Sequence, residues 1–213
     1  MSAALILGRC RRRVLVCDAG KHRNARSHAM HGFLTRDGIP PGEFLTMARA
    51  ELQPYGVEMR HNVVTGACRT AEVFEVTLED GAKLQSRKLL LATGVVDRIP
   101  KIEGLDQFYG RSVFHCPYCD GWEMRDQPVA VYGRGKNGAG LSLSLKTWSA
   151  DVVLCSDGSA GLRPAERERL ANHGVAIRTE KIARLEGRGD LLEQIIFRKG
   201  PRGCGRRERG LCH

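Results

Sequence analysis

Six residues, Gly133-Arg134-Gly135-Lys136-Asn137-Gly138, constrain the fold more than any other part of this chain. They follow a short apolar, β-branched run, Val129-Ala130-Val131-Tyr132, and lead into a helical stretch that continues to Trp148. In such a place the first glycine permits a tight turn and the second lets a pyrophosphate approach the backbone. The third lets the helix pack closely on the strand, with phosphate at the helix N-terminus. The next apolar run, 151–155, leads to Asp157, roughly 20 residues beyond the loop, where an acid can bond the hydroxyls of an adenosine ribose. An ordinary glycine turn is the plain alternative, but strand, loop, helix, strand and acid together favour a βαβ dinucleotide-binding unit. Asp157 leans the nucleotide toward NADH, because Ser156 and Gly158 bring no cation for a 2′-phosphate. Arg163, Arg167 and Arg169 are the cations downstream.

A second unit of the same kind is expected nearer the start. The run 13–17 reads as a buried parallel strand that ends at Asp18-Ala19-Gly20, so Asp18 is either a second ribose acid or a solvent-facing carboxylate. A helix is expected over 3–11 and another over 42–55, after the stop at Pro40-Pro41. Alternating patterns then predict strands over 57–64, 74–79 and 84–92, with Asp80-Gly81 as a hairpin turn and Ala92-Thr93-Gly94 at the last strand's end. A turn-rich linker, 97–105, follows. The expected class is therefore α/β: two Rossmann-like, three-layer nucleotide-binding domains, the first incomplete because no phosphate loop precedes Asp18, with a small antiparallel β-meander over 57–91 inserted in it. The expected divisions are 1–105, 106–197 and a basic tail, 198–213, read either as disordered or as a frameshifted or artificial terminus.

The formal charge of +10 does not point to nucleic acid. Residues 197–213 hold six Arg or Lys against the single Glu208, four more arginines cluster at Arg9 and 11–13, and no aromatics interleave a basic face. Apolar runs stop short of the roughly 20 residues a membrane span needs, and no secretory leader pattern opens the chain. A cytoplasmic protein is expected, with neither a membrane nor a nucleic-acid partner. In that setting eight cysteines are read as buried, reactive or metal-binding thiols, not as a disulfide framework.

One cysteine pair is closely spaced: Cys116-Pro117-Tyr118-Cys119, followed by Asp120-Gly121. Structural zinc normally takes four ligands, and Cys204, Cys212 and His213 are wrongly spaced to complete a set, so no metal is expected. Two buried thiols that fall together by chance remain open. A redox pair is favoured, because this spacing closes a small disulfide ring and can lower one thiol's pKa. Asp120 then offers a carboxyl for proton transfer, while His115 is read as a packing residue.

The order of these parts resembles the thioredoxin reductase family of low molecular weight: the Asp18 strand, Ala92-Thr93-Gly94, a linker, Cys-x-x-Cys-Asp-Gly, then a strand and Gly-x-Gly-x-x-Gly. The resemblance covers residues 3–197. Within the family, the stretch Asp18 to Asn24 followed by Met30-His31 is similar to the branch that includes dithiol oxidases of disulfide-bearing natural products. The resemblance implies a homodimeric flavoenzyme passing electrons between NADH, NADPH or oxygen, FAD and a thioredoxin-like protein or small dithiol/disulfide. It implies that Cys119 faces the flavin, Cys116 meets the substrate and Asp120 is acid and base. Thr93 and Gly94 would lie along the flavin, Asp18 would hold the FAD ribose with Asn24 beside it, and Gly133, Gly135, Gly138 and Asp157 would take the nicotinamide dinucleotide. Against the family's pattern the first strand with its phosphate loop, and the returning FAD segment, are absent. A chain short at both ends that retains FAD poorly is therefore expected, and an inactive, dinucleotide-binding remnant is the alternative.

Overall fold

The computed structural model describes residues 1–198 and 211–212, and the chain divides into two compact units. One is Met1–Ala25 with Pro40–Arg98; the other is Arg26–Ile39 with the chain from Ile99 onward.

The first unit opens with α1 (Ser2–Arg9), whose Ala4 packs with Leu52 and Val57 in a small core flanked by Leu5, Val14, Val16 and Met59. β1 (Leu15–Cys17) follows. α2 (Pro41–Leu52) starts at a proline in its first turn, where the missing N–H costs nothing, and ends in a turn of 3-10 helix over Gln53–Tyr55. β2 (Glu58–Arg60) lies parallel to β1 with Leu15 opposite Glu58. β3 (Val64–Arg69), β4 (Phe74–Leu78) and β5 (Lys83–Ser86) form an antiparallel meander, with Val76 and Leu78 on its buried face. The Asp80-Gly81 turn closes β4 on β5, and Asp80 Oδ1 accepts the Ala82 N–H at 2.9 Å.

Two boundaries differ from those read in the sequence. The strand expected over 57–64 is two: 58–60 joins β1, and the meander begins only at Val64, because the register with β4 starts there. The strand expected over 84–92 stops at Ser86. Beyond it Leu90 and Leu91 are 67% and 71% exposed, and the described residues offer 88–92 no partner strand. An apolar run becomes a strand only where a neighbour takes its backbone groups.

The second unit is three layers deep. Its middle is a parallel five-stranded sheet in the order β6-β12-β7-β8-β9, made of Val113–Phe114, Leu211–Cys212, Val129–Tyr132, Val152–Cys155 and Ala176–Arg178. β7 and β8 are nearly buried throughout, as a sheet covered on both sides requires. Val131 and Leu154 face a core shared with Ala139 and Leu145 of α5 (Gly135–Leu145) and Leu170 of α6 (Pro164–Asn172). Ala130 and Val153 face a second core with Phe108 of α3 (Leu105–Phe108) and with Ile182, Leu185, Leu192 and Ile195 of the bulged hairpin β10 (Ile182–Arg188) and β11 (Leu191–Phe197). A short turn of helix, α4 (Pro117–Asp120), sits between β6 and β7.

Ile99 and Ile102, expected in a linker, pack against the Phe108 core, which is why this unit begins before Leu105. Most of the tail expected over 198–213 lies outside the described residues. Its Leu211–Cys212 part is not a free tail: it pairs in parallel with both Val113–Phe114 and Ala130–Val131, satisfying backbone groups on two facing strand edges. Among the described residues no helix is long and apolar enough to cross a membrane.

Candidate functional site

The cysteine pair owes its geometry to one helical turn. Cys116 leaves β6 in an extended conformation, Pro117 starts α4, and the turn returns Cys119 to a Cα separation of 5.3 Å from Cys116, where the two are joined as a disulfide. The Cys119 N–H donates to the Cys116 carbonyl at 3.2 Å. Cys119 is exposed and Cys116 half-buried. Gly121 completes the motif for a steric reason: a Cβ there would stand 2.8 Å from Trp148 Cδ2, so the chain turns under the indole only without a side chain. Trp148 in turn meets the Tyr118 ring edge-on at 5.5 Å.

Asp120 is beside the pair and half-buried. Burial first, then the negative charge of Glu123, push its carboxyl up to about 6, and His31 pulls in the opposite direction. His115 is stacked on Tyr109, whose hydroxyl lies 3.1 Å from His115 Nδ1.

The glycine loop follows β7 as a βαβ unit requires. The Gly133 and Gly138 backbones nearly touch. α5 has no side-chain cap, so the N–H groups of Lys136 and Asn137 in its first turn have no side-chain acceptor at the cap, the chemistry a phosphate takes. The Gly135 N–H donates to the Ala160 carbonyl at 2.8 Å, and the nearest heavy atom to a Cβ built on it is the Gly161 carbonyl oxygen at 3.7 Å. Asp157 is also engaged by the protein. Its Oδ1 accepts the Ile182 N–H at 2.9 Å, while Arg134 and Lys181 lie 3.6 and 3.7 Å from its Oδ2. Arg134 further donates to the carbonyls of Ser156 and Asp157 at 2.6 and 2.5 Å. A cleft of about 190 Å³ opens beside these groups, lined by Lys101, Tyr132, Asp157, Lys181 and Arg198. Sequence reading missed Arg134 and Lys181. The first sits between two loop glycines, where a charge could have been noticed; the second is brought to Asp157 only by the fold.

In the first unit, Asp18 ends β1 with both carboxylate oxygens in use: Oδ1 accepts from the Gly20 N–H and Oδ2 from Arg49, each at 2.9 Å. These bonds, the Gly20 N–H foremost, hold its carboxyl below the usual carboxylate value. Asn24 lies in the turn after it, next to Arg23, which bonds Asp97 in bidentate fashion at 2.6 and 2.8 Å. Thr93 and Gly94 are exposed in irregular chain. No glycine loop joins a strand to a helix among the described residues of this unit. Among the described residues no group of three or more His, Cys, Asp or Glu is placed to hold a metal.

A family model described as pyridine nucleotide-disulphide oxidoreductase matches residues 1–202. The chain belongs to that family. Among curated relatives, the chain is 30% identical over 203 residues to a probable thioredoxin reductase of Arthroderma benhamiae, covering 87% of this chain and 50% of the relative. It is 35% identical over 200 residues to the thioredoxin reductase sirT of Leptosphaeria maculans, covering 90% and 58%. The chain thus spans between half and under two thirds of the length of these relatives. Among solved structures, a putative thioredoxin reductase TrxB from Bacillus anthracis superposes with a TM-score of 0.91 at 32% identity, covering 99% of this chain and 70% of that one. HlmI superposes with a TM-score of 0.92 at 36% identity, covering 99% and 66%. These matches bear out the α/β nucleotide-binding fold and the thioredoxin reductase-like family.

Proposed function

We propose that this oxidoreductase exchanges electrons with a dithiol/disulfide substrate through Cys116 and Cys119, with Asp120 moving the proton. The observation that carries the reading is the closed Cys116–Cys119 disulfide beside a half-buried carboxyl that holds its proton up to about pH 6. A substrate thiolate attacks Cys116 Sγ and forms a mixed disulfide. The Cys116–Cys119 bond breaks, and Cys119 leaves as a thiolate that takes a proton from Asp120. The second substrate thiol then attacks the mixed disulfide and frees Cys116. The substrate dithiol is oxidised by two electrons, the protein pair is reduced by the same two, and a disulfide substrate runs the steps in reverse. Thioredoxin reductases among the relatives favour a thioredoxin-like protein, with a small dithiol as the other substrate class; a homodimer in the cytoplasm is the expected setting.

Gly133, Gly138 and the first turn of α5 are proposed to take the pyrophosphate of NADH or NADPH, which when bound supplies the reducing equivalents. FAD belongs to the proposal through the family, with Asp18, Asn24, Thr93 and Gly94 as its contacts in a complete domain. Each Asp18 oxygen accepts one bond, from Gly20 or Arg49, and a carboxylate oxygen has room for a second, so these bonds are compatible with a ribose contact. A second reading, a remnant that binds only the dinucleotide, draws on the uncapped first turn of α5 after the glycine loop.

The deciding experiment follows oxidation of dithiothreitol by the full chain, with visible absorbance recorded before and after adding FAD. Disulfide exchange that Cys119→Ser or Cys116→Ser abolishes upholds the first reading. Exchange untouched by both substitutions removes it, and a colourless chain that still binds NADH in that event leaves the second.

A further inference from the structure

Two cations converge on one glycine after β8. Gly158 follows Asp157 with a φ of +121°, and a Cβ built on it would stand 3.4 Å from Lys181 Nζ and 3.7 Å from Arg134 Nη2. Glycine leaves that point open, in a conformation that other residues rarely adopt. The backbone beneath it is held by three bonds. The Gly158 N–H donates to the Thr179 carbonyl at 2.9 Å, the Ser156 N–H donates to the Arg178 carbonyl at 2.8 Å, and the Ser156 hydroxyl donates to the Gly158 carbonyl at 2.7 Å.

Both cations reach this point from elsewhere in the chain. Arg134, at the start of α5, turns back to the end of β8 and donates to the Ser156 and Asp157 carbonyls at 2.6 and 2.5 Å. Lys181 stands just before β10, whose first residue is tied to Asp157 by the bond from the Ile182 N–H to Oδ1. Asp157 Oδ2 is the acceptor they share, at 3.6 Å from Arg134 and 3.7 Å from Lys181. Glu180, next to Lys181, pairs instead with Arg178 at 2.8 Å. Lys101 and Arg198 add positive charge along the cleft that opens beside Lys181 and Asp157. Arg163, the first of the cations downstream of β8, is turned away onto Glu166 at 2.6 Å.

We propose that the open point over Gly158, between Lys181 and Arg134, receives the 2′-phosphate of NADPH, and that these two residues make the chain prefer NADPH to NADH. The proposal rests on the dinucleotide reading of the glycine loop. In a βαβ unit of this kind the adenosine ribose lies beside the acid that ends the second strand, here Asp157, so its 2′ position comes next to Gly158. A phosphate oxygen at that point requires each cation to move in by less than about 1 Å to reach the distance of a charge-assisted bond. NADH offers a neutral hydroxyl in the same place and draws little from either cation. The Asp157 carboxylate repels the phosphate, but two cations stand against it, and it holds both of them at the site. Ser156 and Gly158 carry no cation of their own; the fold supplies two.

The test titrates the full chain with NADPH and with NADH by fluorescence at fixed salt, in wild type, Lys181→Gln and Lys181→Arg. Lys181 is the residue to change because its side chain is 58% exposed, whereas Arg134 also holds two backbone carbonyls. Wild type is expected to bind NADPH about tenfold more tightly than NADH, and Lys181→Gln to bring the two within about twofold by weakening NADPH alone. Lys181→Arg, which keeps the charge, should retain the preference. Wild type that binds NADPH no more tightly than NADH overturns the subsite and leaves the dinucleotide reading standing. So does a preference that survives Lys181→Gln, or a loss that both nucleotides share equally. A chain that binds neither nucleotide overturns the dinucleotide reading and this proposal with it.

Discussion

Gly138 lies so close to Gly133 that a Cβ on it would stand 2.7 Å from the Gly133 carbonyl carbon and 3.1 Å from Leu154 Cδ1. The obstacle is backbone on one side and a buried leucine on the other, so neither can swing aside. Gly138→Ala is expected to cost about 1–3 kcal/mol, the usual range for overpacking a close-packed site. Gly140, two residues on in the same helix, has nothing within 4 Å of its virtual Cβ. Gly140→Ala should instead stabilise by up to about 1 kcal/mol through helix propensity. Urea unfolding of the two variants side by side checks the pair, and equal effects would mean that α5 and β7 are not packed through this glycine.

Asp157, proposed to bond the adenosine ribose, holds two cations beside its carboxylate. With Arg134 and Lys181 both within 4 Å of its carboxylate, removing that charge frees two cations for a phosphate and removes the repulsion a phosphate would meet. Asp157→Asn is expected to raise affinity for NADPH over NADH by about tenfold, the factor that 1.4 kcal/mol makes. Fluorescence titration of both nucleotides at fixed salt measures the ratio. A ratio unchanged by the substitution would place the ribose away from Asp157.

What could be read in the sequence follows from how local each signal is. The loop at Gly133, Gly135 and Gly138, its flanking strand and helix, and the pair Cys116 and Cys119 are defined within a few residues, and the fold sets them in consecutive elements. The sheet edge at 88–92 was misread because alternation reports which side of a strand is apolar, not whether another strand is there to bond it. The split of 57–64 is a register effect: Glu58–Arg60 answers to β1, about forty residues earlier, and no pattern inside the segment announces that. The pairings of Lys181 with Asp157 and of His31 with Glu123 could not be found from spacing, since each reaches its carboxylate from a distant part of the chain. The side chains that pair with these carboxylates were hidden for that reason, while the groups proposed to carry the chemistry were visible.

Arg23 and Asp97 join the turn after β1 to the irregular chain that leaves the meander, by two short parallel bonds. Both side chains remain partly exposed, at 44% and 24%, so screening by solvent keeps the pair modest. Asp97→Asn should lower stability by no more than about 1 kcal/mol, and 1 M salt should shrink the difference. Hydrogen exchange at residues 23–25 reports the effect locally: amides there should open faster in the variant, and unchanged exchange would show that the turn stands without the pair.

Asp120 and Asp18 give the chain two pH dependences of opposite sign. Asp120 in the native state holds its proton up to about 6, against a usual 3.8, so its contribution to stability is complete below about pH 4 and is lost as pH rises through 6. Asp18 is held below 3.8 by Gly20 and Arg49, so its contribution is present above that value and is lost as pH falls through its lowered native value. Asp120→Asn should therefore leave the thermal midpoint nearly unchanged at pH 4 and raise it at pH 7, with the gain developing between those values. Asp18→Asn should lower the midpoint at pH 7, and the loss should shrink as the medium is acidified below 3.8. Scanning calorimetry of both variants across this range separates the two carboxylates. An Asp120→Asn midpoint that tracks wild type at every pH would mean the carboxyl ionises at its ordinary value, and Asp120 would then be fully ionised near neutrality with no proton to give the leaving sulfur.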